Sequence, residues 1–273
     1  QGLDYRLLHV LIKILSRGNY RGSQLDYLYW STQYALNKAK KIITISNFSK
    51  QEIIKYYQTN PEKIAVVYNG YNHELYCQET QPEKSHKILT KYGIKIPYIF
   101  YVGRLEKKKN TDKLIEAFAL FKQQQPQLKH KLVLVGNASF GYDEIKYQIN
   151  EFNLANDVII PGWVEEEDMS YIFHQAEAFV FPSNYEGFGI PLLQAMACGT
   201  PIVASQTTSI PEIAGEAALL FDQTNVHDMA DKIKQIIINQ ELRAQLKAKG
   251  LVRVKDFAWQ RCAQNTLDII NNL

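Results

Sequence analysis

A carboxylate, two glycines around an aromatic ring and a proline stand together in Glu186-Gly187-Phe188-Gly189-Ile190-Pro191. Those residue types suit a polyhydroxylated, anionic ligand. The Glu186 carboxylate is an acceptor for hydroxyl donors such as those of a sugar. Gly187 and Gly189 let the backbone approach a ligand closely. If a helix begins after Gly189, its free N–H groups and its dipole favour an anion such as a diphosphate. Pro191 fits a first helical turn, where its missing N–H is unpaired in any case. Taken alone, the stretch reads equally as an ordinary strand-to-helix turn with a surface glutamate.

A second constellation is Val102-Gly103-Arg104 with Lys109-Asn110 beyond it. Arginine offers a planar fork to phosphate oxygens and lysine a point charge. Together they would neutralise a diphosphate as charge develops on it. The competing reading is a solvated cationic run, because Lys107, Lys108 and Lys109 are consecutive. A third segment, Gly162-Trp163-Val164, follows an apolar run; its backbone groups could read a nucleobase edge, or it is a plain turn. The acidic run Glu165-Glu166-Glu167-Asp168 reads as carboxylates complementing a helix N-terminus, and no metal is expected. The nearest approach to a dinucleotide fingerprint, Gly136 to Gly141, has the wrong spacing, so no nicotinamide cofactor is expected.

These residues need strands and helices to hold them. Apolar runs at 98–102, 132–135, 158–160, 178–181, 201–204 and 218–221 read as buried parallel strands. Helical periods at 111–124, 143–153, 166–175, 190–198 and 210–214 alternate with them, and residues from Val226 onward are helical. Regular alternation predicts an α/β fold with a doubly wound parallel sheet, whose ligands bind at the carboxyl ends of strands. Upstream, Lys41–Ile45 reads as a short buried strand and Ser49–Glu52 as a capping box opening a helix that ends near Tyr57. Residues 64–68 form a further strand, making a β-α-β unit, and 77–85 read as a polar linker before a helix ending at Gly93. Residues 24–40 read as a helix, and so do 5–15, whose basic polar face fits either an anionic membrane surface or packing on the protein.

Composition narrows the classes. At 273 residues the chain can hold one large domain or two small ones. A net charge of +3 with scattered basic residues argues against a nucleic-acid partner. Three widely spaced cysteines, Cys77, Cys198 and Cys262, make neither a disulfide framework nor a zinc site and fit a cytoplasmic setting.

Several segments, in order, resemble the group 1 glycosyltransferases, the retaining, nucleotide-sugar-dependent enzymes of GT-B fold. They are I-T-I-S-N-F-S at 43–49, Y-N-G at 68–70, V-G-R-L at 102–105, K-N at 109–110 with L-I-E-A-F at 114–118, L-V-L-V-G at 132–136, P-G-W-V at 161–164, the long stretch 182–203, and F-A-W at 257–259. The resemblance implies that Arg104 and Lys109 clamp the donor diphosphate and that Glu186 holds the donor sugar. Gly103, Gly187 and the backbone at Phe188-Gly189-Ile190 would approach phosphate and ribose, and Val164 would lie by the base. It implies transfer from a nucleotide-sugar donor to a glycan or lipid-linked acceptor, with no metal or other cofactor, at or near the inner face of the membrane.

Two positions depart from the family. Gln194 stands where the family carries a second glutamate, eight residues after the first. The N-terminal part is also short. The resemblance assigns 1–70 to the end of an acceptor-binding Rossmann-like domain and 71–255 to the donor domain. It makes 256–273 a helix crossing back, with Trp259, Ala263, Leu267 and Ile270 as its apolar stripe. That shortness reads as a fragment or truncated product of a longer enzyme or as a compact natural variant, and a non-catalytic nucleotide-sugar-binding relative is the competing function class.

Overall fold

The computed structural model describes residues 24–77, 81–137 and 142–273. The basic segment at 5–15 lies outside the described residues. The first elements are α1 (Gln24–Lys38), β1 (Ile42–Thr44), α2 (Asn47–Tyr57) and β2 (Ile64–Val66). β1 and β2 pair in parallel, Ile42 opposite Ile64, around α2, as a β-α-β unit requires.

Then follow α3 (Pro82–Lys91), β3 (Tyr98–Val102), α4 (Thr111–Gln124), β4 (Lys131–Val135), α5 (Tyr142–Glu151), β5 (Val158–Gly162), α6 (Glu166–Gln175) and β6 (Ala178–Phe181). The chain continues through α7 (Ile190–Ala197), β7 (Ile202–Ser205), α8 (Ile210–Ala214), β8 (Ala218–Phe221), α9 (Val226–Ile238), α10 (Gln240–Arg253) and α11 (Trp259–Asn271). The six strands β3 to β8 form one parallel sheet in the order β5-β4-β3-β6-β7-β8.

Burial on both faces explains the near-continuous apolar inner strands β3, β4, β6 and β7, whereas the edge strands β5 and β8, expected to be buried as well, are half-buried because each has a neighbour on one side alone. Along β3 the side chains alternate: Tyr98 and Phe100 enter one core with Phe173, Phe179 and Leu193, while Ile99 and Tyr101 enter the other with Phe118, Val180 and Ile233. The first core lies under α3, α6, α7 and α8; the second lies under α4, α5 and α9. The chain winds outward from β3 through β4 and β5, then returns to the centre and winds the other way from β6. The carboxyl ends of β3 and β6 therefore flank the topological switch point, where the loops diverge and leave a crevice.

Four local expectations are corrected. The strand expected at 41–45 is limited to three residues and is only partly buried: Thr44 is buried, whereas Ile43 and Ile45, on the opposite face, are exposed. The helix after it opens at Asn47, capped by Ser46, whose hydroxyl accepts from the Ser49 N–H; Ser49 is the third helical residue, not the cap. The polar segment expected to run as a linker to Ser85 ends at Pro82, which opens α3 as a first-turn proline can. The strand expected at 201–204 is displaced by one residue to Ile202–Ser205.

The last helix begins against the N-terminal unit. A Cβ on Gly70 would collide with the backbone of Ala258 and Trp259, so glycine permits the close approach. Beyond that start the apolar stripe of α11 is uncovered, with Trp259, Leu267 and Ile270 exposed and no buried residue on the helix.

Candidate functional site

Two loops meet at the switch point. After β3 the chain passes Gly103 and Arg104, and the buried Tyr101 hydroxyl donates back to the Arg104 carbonyl at 3.0 Å. A single 3-10 turn, Lys107–Lys109, follows, and Asn110 then reverses the chain with φ 59°. Asparagine is among the few residues that take up this left-handed conformation readily. Asn110 is buried, and its side chain donates to the Gln223 carbonyl at 3.0 Å. The 3-10 turn separates the three lysines. Lys107 and Lys108 stay exposed, while Lys109 turns inward.

After β6 the turn from Pro182 to Gly189 brings Glu186 opposite Lys109. Their Nζ and Oε1 atoms lie 2.5 Å apart, with the side chains 24% and 15% exposed. The two site residues read from separate segments are thus one partly buried ion pair, and the solvated-run reading fails for Lys109. Gly189 takes φ 100°, and a Cβ there would stand 3.1 Å from Leu192 Cδ1, so the turn requires glycine. The turn is tied down through its carbonyls, to which Ser46 and Ser209 donate. The Glu186 N–H donates to Thr208 Oγ1 at 3.2 Å. The Phe188 side chain is buried between Tyr68 and Phe257, so only the backbone of that residue faces the crevice.

Two adjoining cavities occupy the crevice and share Val102 and Gly103 in their walls. The smaller, about 340 Å³, is lined by Lys109, Glu186, Gly187, Phe188, Gly189 and Ile190 among others. The larger, about 730 Å³, is lined by Arg104, Val164 and Gln194 and by groups that sequence reasoning did not single out, notably Tyr76, Asn137 and Met169. Arg104 is exposed on that wall, so the structure sets it beside the Lys109–Glu186 pair without joining it. Val164 is buried and Trp163, next to it, is 67% exposed at the cavity rim.

Tyr76 is nearly inaccessible and lines the cavity together with Gln194. Burial raises its hydroxyl pKa well above the ordinary value, Glu166 adds to the rise, and the nearby Gln194 side chain opposes it. Tyr76 is therefore a neutral hydroxyl. No periodicity or motif marks it, because it belongs to the irregular segment before α3.

The acidic run behaves as dipole complement: Glu165 precedes α6 and Glu166, Glu167 and Asp168 form its first turn. Asp168 is committed to Lys91 at 2.7 Å and the Tyr92 hydroxyl at 2.8 Å. Among the described residues no group of three or more His, Cys, Asp or Glu side chains could hold a metal ion. Among those residues, too, no helix is long and apolar enough to cross a membrane.

The chain is similar to known proteins. Residues 8–75 match the family model described as Glycosyltransferase Family 4, and residues 83–252 match that described as glycosyl transferases group 1. The O-antigen chain mannosyltransferase B of Escherichia coli is 32% identical over 251 residues, covering 90% of this chain and 64% of that protein. A serotype-specific mannosyltransferase, WbdA, also of Escherichia coli, is 26% identical over 95% of this chain and 32% of its own length. The chain thus spans less than two thirds of either relative. The crystal structure of Anabaena HepE in complex with UDP and glucose superposes with a TM-score of 0.81 at 25% identity, over 92% of this chain and 68% of that one. WaaG, a glycosyltransferase involved in lipopolysaccharide biosynthesis, shares the fold, with a TM-score of 0.77 at 18% identity over 98% of this chain and 73% of that one. The group 1 match runs through every strand of the six-stranded sheet and both loops of its crevice, and the chain belongs to the group 1 glycosyltransferases.

Proposed function

We propose that this chain carries the donor side of a hexosyl transfer, in which a sugar leaves a nucleoside diphosphate for a hydroxyl of a glycan or lipid-linked acceptor with retention of configuration. The observation that carries the reading is the Lys109–Glu186 pair at the mouth of the switch-point crevice. It sets a cation for a phosphate and a carboxylate for sugar hydroxyls within one small cavity. The nucleoside belongs in the larger cavity, its base by the Val164 backbone and its ribose near the Gln194 amide. The diphosphate then lies at Gly103, where the two cavities meet, between Arg104 and Lys109.

As the glycosidic bond breaks, negative charge grows on the departing phosphate. The Arg104 and Lys109 cations stabilise it, and they do so without a metal ion. In the retaining reaction that phosphate takes the acceptor proton on the same face of the sugar. Gln194 accepts or donates one bond to a ribose hydroxyl but lacks a carboxylate's charge, which weakens donor binding by about 1–2 kcal/mol. Two of the relatives are mannosyltransferases, one of them of an O-antigen chain, which favours mannose as the sugar and a surface polysaccharide as the acceptor. Residues 1–70 are then the end of an acceptor-binding unit, and the uncovered stripe of α11 faces the rest of it. The setting proposed is cytoplasmic, peripheral to the membrane.

Calorimetric titration with UDP-glucose, GDP-mannose and their nucleoside diphosphates, in the presence of a chelator, tests the reading. One sugar nucleotide is expected to bind, and Arg104→Ala to abolish it. Binding of none of them by this chain would overturn it.

A further inference from the structure

The turn carrying Glu186 is held by hydroxyls from two distant parts of the chain. Ser209, just before α8, donates to the carbonyls of Glu186 and Phe188 at 2.9 and 3.2 Å. Ser46, which caps α2 in the N-terminal unit, donates to the intervening Gly187 carbonyl at 2.7 Å. Both serines are completely buried. Three successive carbonyls are therefore gripped from two sides, and the grip holds only while the two sides stay in register.

Glu212 supplies that register. It lies on α8, three residues after Ser209, and points at the start of α2. Its Oε1 accepts from the Asn47 N–H at 2.8 Å, the Asn47 Nδ2 at 2.9 Å and the Tyr68 hydroxyl at 2.8 Å. Its Oε2 accepts from the Phe48 N–H at 3.1 Å. Asn47 and Phe48 are the first two residues of α2, immediately after Ser46, and their N–H groups have no partner within the helix. A carboxylate there is favoured by the helix dipole as well. Arg253 braces the other side of α8, donating to the Glu212 and Ile213 carbonyls at 2.8 and 3.2 Å. Glu212 lines neither crevice cavity.

We propose that Glu212 is a positioning residue for the Glu186 turn. By docking the start of α2 onto α8 it keeps Ser46 on the Gly187 carbonyl, and so makes the shape of the turn depend on where the N-terminal unit sits. The inference rests on reading Glu186 as the sugar-binding group. Its mechanical part, the link from Glu212 through Ser46 to the turn, stands on the hydrogen bonds alone.

Glu212→Gln tests it conservatively. The amide keeps one acceptor oxygen, but its NH2 meets the Phe48 N–H donor to donor. Ser46→Ala keeps Glu212 and removes the 2.7 Å contact to the Gly187 carbonyl together with the α2 cap, leaving Ser49 Oγ 3.4 Å from that carbonyl as the remaining donor. In hydrogen exchange, both variants are expected to speed exchange across residues 187–189 by about tenfold, the scale set by losing one charge-assisted bond. In calorimetry, UDP and GDP are expected to bind both variants within about twofold of wild type. The sugar nucleotide that wild type binds is expected to weaken about tenfold, and the double variant to be no worse than the more severe single one, because the two residues act in series. A purely structural loss would weaken diphosphate and sugar nucleotide alike, and that result overturns the proposal, as does unchanged exchange at 187–189 in Glu212→Gln. If wild type discriminates no sugar nucleotide from its diphosphate, the reading of Glu186 fails. The exchange data then decide the mechanical link by themselves.

Discussion

Replacing Glu186 with glutamine should move two ligands in opposite directions. In the unliganded chain the carboxylate neutralises Lys109 across 2.5 Å, in a pair whose members are 24% and 15% exposed. A nucleoside diphosphate using Lys109 must bind beside that carboxylate. Glutamine keeps the shape and removes the charge, so the diphosphate meets an uncompensated ammonium. Partly exposed pairs are worth up to about 1 kcal/mol, so the gain is at most about fivefold. The sugar nucleotide loses instead. Its hydroxyls exchange charge-assisted bonds of about 1.5–3 kcal/mol for neutral ones of about 1 kcal/mol, a loss of about 0.5–2 kcal/mol per bond, or two- to thirtyfold. Lys109→Met removes the cation from both ligands and should weaken both by about 1.5–3 kcal/mol, roughly 10- to 150-fold. Calorimetry at 0.15 M salt separates these patterns, with UDP against UDP-glucose and GDP against GDP-mannose. Equal weakening of diphosphate and sugar nucleotide in Glu186→Gln would refute the assignment of sugar to Glu186 and phosphate to Lys109.

Two further outcomes follow from the packing and the charges. Phe257 is buried against Tyr68 and Phe188, at centroid distances of 5.6 and 5.9 Å, with the Arg253 guanidinium 4.8 Å from its ring. Phe257→Ala should cost about 3–5 kcal/mol in urea unfolding, and a cost under about 1 kcal/mol would show that this cluster does not hold the N-terminal unit to the crevice. Asp157 is the pH marker: burial would raise its pKa, but the Lys131 ammonium at 2.8 Å and Lys122 at 3.4 Å outweigh that and lower it below the ordinary 3.8. Its contribution is therefore present above the unfolded value and is lost as pH falls through the lower folded value. The stability difference between wild type and Asp157→Asn should thus be constant near neutrality and shrink below about pH 4. A difference growing toward acid would contradict the sign.

The strands were legible because burial on both faces leaves an unmistakable imprint: five consecutive apolar residues at 98–102 leave little room for another element. Glu186, Gly189 and the proline-opened α7 were legible for a local reason, since each requirement is met within six residues of chain. The N-terminal capping residue was misread because Ser46 and Ser49 both suit a cap, and the choice rests partly on a partner, Glu212, that is 165 residues from Asn47. Likewise nothing in Lys107-Lys108-Lys109 says which lysine turns inward; the 3-10 turn that holds them and the pairing of Lys109 with Glu186, 77 residues away, decide that.

Local order of residues thus set the element types, the alternation that makes a doubly wound sheet, and the chemistry available at each loop. Those properties depend on nearest neighbours and on the period of burial, which the chain carries within itself. Tertiary structure decided the strand order, and with it the meeting of the β3 and β6 loops. It also decided the pairing of Lys109 with Glu186 and the grip of Ser46 and Ser209 on the turn that carries Glu186. Each of these needs groups from separate segments within about 3 Å of one another, a distance that only the packing of helices on the sheet can set.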